Sequence, residues 1–393
     1  MKVTNIKYST RDNKFILSAR MILKRGKIHE VYFEVDKKYQ EFVYQDASPL
    51  LAAVLGLAMK LGENLEIDGA VSKLLRTNTP KIMKKIANWG EGFKKIALTT
   101  KGTNQDLGKR EKVACFFSGG VDSFYTYLKN KSHIKYFIFV HGFDIKAKNV
   151  ELFTKIEKDI ATIAQKERVE LVEVKTNLRE IFDQYFDWDI SHGFALEAVA
   201  LFLRRGFKEI FFSCGLPSLN DEHHYLSPDL DVLWSTENMY LHHYGCEADK
   251  IAKLKYLANF KLAMNNVRVC WMNKKGAYNC CECEKCFRNM LALYTVDALD
   301  KCKSFNKSLD LNKLKSIRVD PSSIKYFTTI AEVLILKGDN SAVKLALEEC
   351  IKNNSQPNFY QQLIRNTRDA IRYVDKKYNQ HRLYWYLSAK GVI

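Results

Sequence analysis

Apolar and polar residues alternate with a period of two in Phe15-Ile16-Leu17-Ser18-Ala19-Arg20 and again in Glu30-Val31-Tyr32-Phe33-Glu34-Val35. Successive side chains of a strand point to opposite faces, so both segments are expected as antiparallel strands, with Arg25-Gly26-Lys27 as the turn between them. After Ser48-Pro49 the period changes. Leu51-Ala52-Ala53-Val54-Leu55-Gly56-Leu57-Ala58 is a run of good helix formers, and a second amphipathic helix is expected from Pro80 to Trp89. Lys94 to Leu98 suggests a strand, and the polar stretch from Thr99 to Lys109 a linker.

From residue 112 the pattern becomes strand, helix, strand, helix. Short continuous apolar runs at 113–117, 136–140, 169–174 and 210–213 are separated by helical segments at 123–130, 149–166 and 192–205. Such runs are buried on both faces, which argues for an α/β unit with a parallel sheet covered by helices. Ligands on such sheets gather at the carboxyl ends of the strands. Residues 118–123, His141-Gly142-Phe143-Asp144 and Cys214-Gly215-Leu216-Pro217 are all expected on that rim. Beyond about residue 305 the chain reads as helical, with starts at Asp320-Pro321-Ser322-Ser323, Asp339-Asn340-Ser341 and Gln356-Pro357-Asn358. The aromatic-rich end, Tyr373 to Tyr386, suits a core or an interface. The expected division is an α+β accessory domain at 1–108, an α/β domain at 109–304 and a helical domain at 305–393.

Composition narrows the class without choosing a function. At 393 residues, 47% hydrophobic and 27% charged, the chain can bury a full core and excludes a disordered or fibrous protein. No apolar stretch is long enough to span a membrane, and Met1-Lys2-Val3-Thr4-Asn5-Ile6-Lys7 lacks the apolar core of a signal peptide. With ten cysteines, several of them clustered, the expectation is a reducing cytoplasm and a metal site rather than a disulfide scaffold. The net charge of +17 is unevenly spread: residues 1–110 carry +10, residues 111–300 carry −2 and residues 301–393 carry +9. The basic flanks suit a nucleic acid or an acidic protein partner, and the pattern allows a homodimer.

The densest chemical signal is Ser118-Gly119-Gly120-Val121-Asp122-Ser123, directly behind Val113-Ala114-Cys115-Phe116-Phe117 and ahead of a helical stretch. A buried strand ending in a small-residue turn leaves backbone N–H groups free to face an anion, and the glycines let the main chain approach it closely. The positive end of the following helix adds to the same place. Ser118 and Ser123 supply hydroxyls, and Asp122 suits a magnesium ion or the orientation of the turn. No Gly-Lys-Ser/Thr follows, so this is not the other common phosphate loop.

Cys280, Cys283 and Cys286 stand at intervals of three, with Cys270 ten residues upstream and Cys281 between the first two. Cys270, Cys280, Cys283 and Cys286 suit a tetrahedral zinc ion, with Cys281 spare and Lys285 and Arg288 offsetting the thiolate charge. An iron–sulfur cluster or a redox-active thiol pair takes the same residue type. Cys115, Cys214, Cys246, Cys302 and Cys350 are expected as buried small hydrophobes. His242-His243 is a further metal candidate, for which the sequence supplies no evident third ligand.

Taken together, the Ser-Gly-Gly-Val-Asp-Ser loop and the late Cys-x-x-Cys-x-x-Cys run resemble the 7-cyano-7-deazaguanine synthase branch of the PP-loop ATP pyrophosphatases. The resemblance covers roughly residues 112–300. It implies a five-stranded parallel sheet, with Cys270 as the upstream ligand of a zinc site completed by the triplet. Members of that family carry Gly after the first triplet cysteine, where this chain has Cys281. The extra regions at either end, and segments such as Leu230 to Glu237 and Val269-Cys270-Trp271, mark a divergent member.

The resemblance further implies an ATP-dependent carbon–nitrogen ligase that adenylates a carboxylate, releases pyrophosphate and then adds nitrogen. Ser118, Gly119, Gly120, Val121, Asp122 and Ser123 would hold the pyrophosphate and Mg2+, and Val140-His141-Gly142 would face adenine. His192, at the expected start of a helix with Gly193, is the candidate proton relay. Other rim candidates are Asp144, Asp221, His223, Glu237 and Lys253. A PP-loop RNA-modifying enzyme (a thiolase or lysine ligase) and a non-catalytic nucleotide-sensing subunit are the alternatives.

Overall fold

Three strands open the chain: β1 (Lys2–Arg11), β2 (Lys14–Ile22) and β3 (Ile28–Asp36). The computed structural model describes residues 1–89, 91–145, 150–215, 226–270 and 272–355. Phe15, Leu17, Ala19 and Met21 of β2 are buried in alternation, as a period of two requires. Gly26, at φ +81°, supplies the left-handed turn between β2 and β3. The chain divides into two compact units, Met1–Asp249 and Lys250–Ile393.

In the first unit, α1 (Ser48–Leu61) is buried along nearly its whole length and ends at Gly62, whose φ of +66° makes a left-handed cap. It is followed by β4 (Leu65–Ser72), α2 (Lys73–Ala87) and β5 (Leu98–Asn104). The α/β alternation comes next: β6 (Val113–Phe116), α3 (Val121–Lys129), β7 (Tyr136–His141), α4 (Val150–Glu167) and β8 (Glu170–Thr176). It continues through α5 (Leu178–Phe182), α6 (Trp188–Phe202), β9 (Glu209–Ser213), α7 (Pro228–Asp231) and β10 (Tyr240–Tyr244).

Among the described residues these ten strands form one sheet in the order β10-β9-β6-β7-β8-β3-β2-β1-β4-β5. The sheet is ten-stranded and mixed, not a free-standing five-stranded parallel one. The strands from β10 to β8 are mutually parallel. At β8 the parallel run meets β3 antiparallel, with Phe33 opposite Thr176 and Val35 opposite Val174. Asn177 extends this seam, accepting from Tyr32 N at 3.2 Å and donating to Glu30 O at 2.7 Å. An exposed edge at β8 is thereby covered by a strand from the first forty residues.

With this strand order, the right-handed crossover rule assigns α3 and α4 to one face of the parallel strands and α6, which returns from β8 to β9, to the other. There α6 packs on α1, and a Cβ on Gly56 would lie 2.2 Å from the Phe194 ring, so only glycine permits this approach. One buried ion pair joins residues far apart in sequence. Arg204 donates two hydrogen bonds to the Asp46 carboxylate, at 2.9 and 2.7 Å, with both side chains 1% exposed. The Tyr44 ring lies over the guanidinium at 4.4 Å.

Several expected elements differ. The linker at 99–109 is largely β5, which adds to β4 in parallel, while residues 94–97 take no strand. The helix expected to start at Pro80 starts at Lys73, with Pro80 in its interior. Its start is set by capping: Ser72 Oγ accepts from Leu75 N at 3.1 Å, and the Glu237 carboxylate accepts from Leu74 N and Ser72 Oγ at 2.9 and 3.0 Å.

The second unit is helical: α8 (Lys250–Leu257), α9 (Lys261–Asn266), α10 (Glu284–Thr295), α11 (Leu311–Ser316), α12 (Pro321–Leu336) and α13 (Ala342–Ser355). The starts read at Asp320 and Asp339-Asn340-Ser341 both precede helices. The helix expected after Gln356, the aromatic stretch Tyr373 to Tyr386, and Leu216, Pro217, Asp221, His223 and Trp271 lie outside the described residues. No helix among the described residues is long and apolar enough to cross a membrane.

Candidate functional site

Residues 118–123 sit at the carboxyl end of β6, between β7 and β9. The chain runs from β6 outward to β7 and β8, then crosses back to place β9 and β10 on the other side of β6. That reversal makes the end of β6 a topological switch point, the position at which open α/β sheets generally bind ligands. Gly119 takes φ +73°, a conformation costing an L side chain roughly 1–2 kcal/mol, and Gly120 is the extended N-cap of α3. Asp122 lies in the first turn of α3 and is half-buried, as is Ser118. Ser123 is buried, and its hydroxyl donates to Gly120 O at 3.0 Å, so it braces the helix start.

Next to the loop, β7 ends at His141, whose ring stacks on Phe153 with centroids 3.6 Å apart. Val140 is buried. Gly142 adopts φ +107°, and a Cβ there would lie 2.3 Å from Thr176 O, so the chain can leave β7 this close to β8 only through glycine.

His192 lies one turn inside α6, not at its start, because the helix begins at Trp188. Its Nδ1 donates to Trp188 O at 3.1 Å, which fixes the ring against its own helix. Glu237 is the cap of α2 described above, a positioning carboxylate within the fold. Asp144 is exposed on the segment after β7. Lys253 is buried on α8, in the second unit.

The four cysteines of the second unit converge. Cys270, Cys280, Cys283 and Cys286 are all buried, and their sulfurs lie within 4.8 Å of one another. The Cys270–Cys283 and Cys280–Cys286 separations are 3.8 and 3.9 Å. Four sulfurs at the zinc–thiolate distance form a tetrahedron with edges of about 3.8 Å. A cubane cluster gives each thiolate its own iron and holds the sulfurs farther apart, so this spacing favours a single shared ion.

Local hydrogen bonds shape that cage. Asn279, 2% exposed, accepts from Val269 N and Cys270 N at 2.9 and 3.2 Å and donates to Val267 O and Ser304 O at 2.9 and 3.2 Å. Asn273 N donates to the Cys270 sulfur at 3.2 Å. Cys283 is the N-cap of α10 and Cys286 lies in its first turn, where the helix dipole favours a thiolate. Without a cation, the charge is shared unequally. Hydrogen bonds from the Cys283 and Cys286 thiols hold Cys270 far below the usual thiol range, and the contact with Cys270 pushes Cys283 up to about 12. A divalent cation is what would let all four ionise together.

Cys281 stays outside the cage. Its φ of +57° lies in the left-handed region that favours glycine, and its sulfur faces Asn279 O and Asn306 Oδ1. Arg288 is held by Glu284 at 3.5 Å and lies 4.1 Å from the Tyr326 ring centroid, while Lys285 is exposed.

A further cluster in the first unit escaped sequence reasoning. His243 on β10 lies 2.6 Å by Nδ1 from Asp231 Oδ2, with both side chains essentially buried. Burial alone would lower His243, yet the Asp231 hydrogen bond and the adjacent Cys214 outweigh it and push the imidazole up to about 9. Burial and the neighbouring Asp231 carboxylate hold Glu197, fully buried on α6, far above the usual carboxylate range. His242 points elsewhere, pairing with Glu209 at 2.9 Å and stacking on Phe211. Neighbouring residues of a strand face opposite ways, so a His-His dipeptide on β10 cannot act as a metal pair.

Of the remaining cysteines, Cys115, Cys302 and Cys350 are buried, and burial raises all three thiols. Comparison of the chain with protein-family models, with curated proteins and with solved structures returns no match.

Proposed function

We propose that this chain is an ATP-dependent carbon–nitrogen ligase of the PP-loop kind, similar to the 7-cyano-7-deazaguanine synthases. It would adenylate a carboxylate, release pyrophosphate and then transfer nitrogen to the activated carbon. The observation that carries this proposal is the position of Ser118 to Ser123 at the switch point of the parallel strands, between a buried strand and a helix N-terminus.

In this scheme the turn at Gly119 and Gly120 brings backbone N–H groups against the departing pyrophosphate, where developing charge is stabilised without reorganisation. Ser118 would add a hydroxyl donor, and Asp122, in the first turn of α3, would hold Mg2+, which would neutralise phosphate charge. Ser123 acts through the loop's shape. Val140, His141 and Gly142, at the end of the adjacent strand, border the adenine side. Activation is required because a carboxylate is a poor electrophile and its oxygen a poor leaving group.

Cys270, Cys280, Cys283 and Cys286 would hold a structural Zn2+, since four protein sulfurs leave no open coordination position. The basic ends of the chain, +10 and +9, favour an acidic carrier for the carboxylate, a nucleic acid or an acidic protein.

Incubating the protein with ATP, Mg2+ and candidate acids and resolving the products tests the proposal. AMP and pyrophosphate are expected, and the joint change Ser118→Ala and Asp122→Ala should slow their formation by about 100-fold or more. Release of ADP and phosphate, or an undiminished rate in the double variant, would overturn it.

A further inference from the structure

The parallel sheet carries a second set of metal-type donors on the same rim as the loop. Cys214 directly follows β9, His243 is the penultimate residue of β10, and Cys246 lies two residues past the end of β10. Gly245, at φ +94°, turns the chain sharply enough to bring Cys246 back toward Cys214. Cys214 N donates to Tyr244 O at 2.8 Å, which pins the two strand ends together. The two sulfurs and the imidazole donor all lie within 4.8 Å of one another.

The imidazole is already oriented for such a role. Its Nδ1 is engaged by Asp231 at 2.6 Å, so Nε2 is the nitrogen left for the thiols. Nε2 is buried and makes no hydrogen bond of ordinary geometry. A carboxylate on one ring nitrogen, with the other nitrogen beside two cysteine sulfurs, is the usual support of a metal-bound histidine. Cys214 is fully buried and Cys246 half-buried.

We propose that Cys214, His243 Nε2 and Cys246 bind a zinc ion, with Asp231 as the positioning residue. Two thiolates and one imidazole are a soft, borderline donor set that suits Zn2+ better than Mg2+ or Ca2+. Tetrahedral zinc needs donor separations of about 3.6–3.8 Å, so the ion would draw these donors inward by about 1 Å at most. Binding releases the protons of both thiols, and that of Nε2 where the ring is protonated, to solvent. Three protein donors leave a fourth position for a water or another oxygen ligand, unlike the closed tetrathiolate cage.

Zinc content of the full-length protein, measured by elemental analysis after removal of loosely bound metal, tests this directly. Two zinc ions per chain are expected. Cys246→Ser and His243→Gln should each lose one, whereas Cys283→Ser should lose only the other. Cys246→Ser is the less disruptive change, since that side chain is only half-buried. Asp231→Asn should weaken Zn2+ binding about 10–100-fold in a chelator competition. Zinc content that falls in Cys246→Ser and not in Cys283→Ser upholds this site even if the tetrathiolate cage proves metal-free. Zinc content unchanged by Cys246→Ser, or a Cys214–Cys246 disulfide in protein purified with reductant, would overturn it.

Discussion

At the scale of single residues, burial decides what a side chain is for. Glu173 on β8 shows this through its proton. Burial, then the Glu157 carboxylate, raises it to about 7, against the partial opposition of Lys14 and Lys38. The folded state therefore keeps a proton that the unfolded chain loses above about 4.5. Stability from this site is present at low pH and falls as the pH rises from about 4.5 through 7. Thermal unfolding of Glu173→Gln and the parent should show the variant gaining on the parent across that window; a difference independent of pH would refute the assignment. The glycines follow the same logic. Nothing in the identity of Gly142 distinguishes it from other glycines, yet Thr176 O excludes any side chain there. Cys281 makes the converse case, a β-carbon held at φ +57°, in the left-handed region that favours glycine.

At the scale of elements, termini were less legible than interiors. The parallel-strand runs read at 113–117, 136–140, 169–174 and 210–213 correspond to β6 to β9 within two residues, because buried strands carry continuous apolar runs. The start of α2 rests on a local signal, the Ser72 cap, that the reading at Pro80 passed over, and on a carboxylate 163 residues away that no local pattern records. Glu237→Ala should cost about 1–2 kcal/mol in urea unfolding, the usual effect of a lost cap, while Glu237→Gln should retain part of it. An unchanged midpoint would show that Ser72 caps the helix alone. The edge strand β5 was also hidden, since its Thr-rich, half-exposed residues carry no core-facing alternation.

At the scale of the molecule, the first unit is held by long-range pairing. Asp46 comes from the segment before α1 and Arg204 from the end of α6, and both lie out of water. Removing one partner strands a buried charge, so Asp46→Ala should destabilise the protein by about 3–5 kcal/mol. The seam between β3 and β8 joins the early and the parallel strands in one sheet, so the two parts are expected to unfold together. Fluorescence changes from Trp89 and Trp234 should accordingly coincide on denaturation, and two separated transitions would contradict that.

The local pattern alone determined the loop at 118–123, the strand–helix alternation around it and the convergence of four cysteines, because each depends on spacing within a few turns of chain. Only the tertiary structure decided that the early strands join the parallel ones in a single sheet, and that Cys214, His243 and Cys246 meet. Both depend on which strand edges pair and where their ends align. Those contacts form between segments separated by tens to more than a hundred residues, and no local periodicity records them.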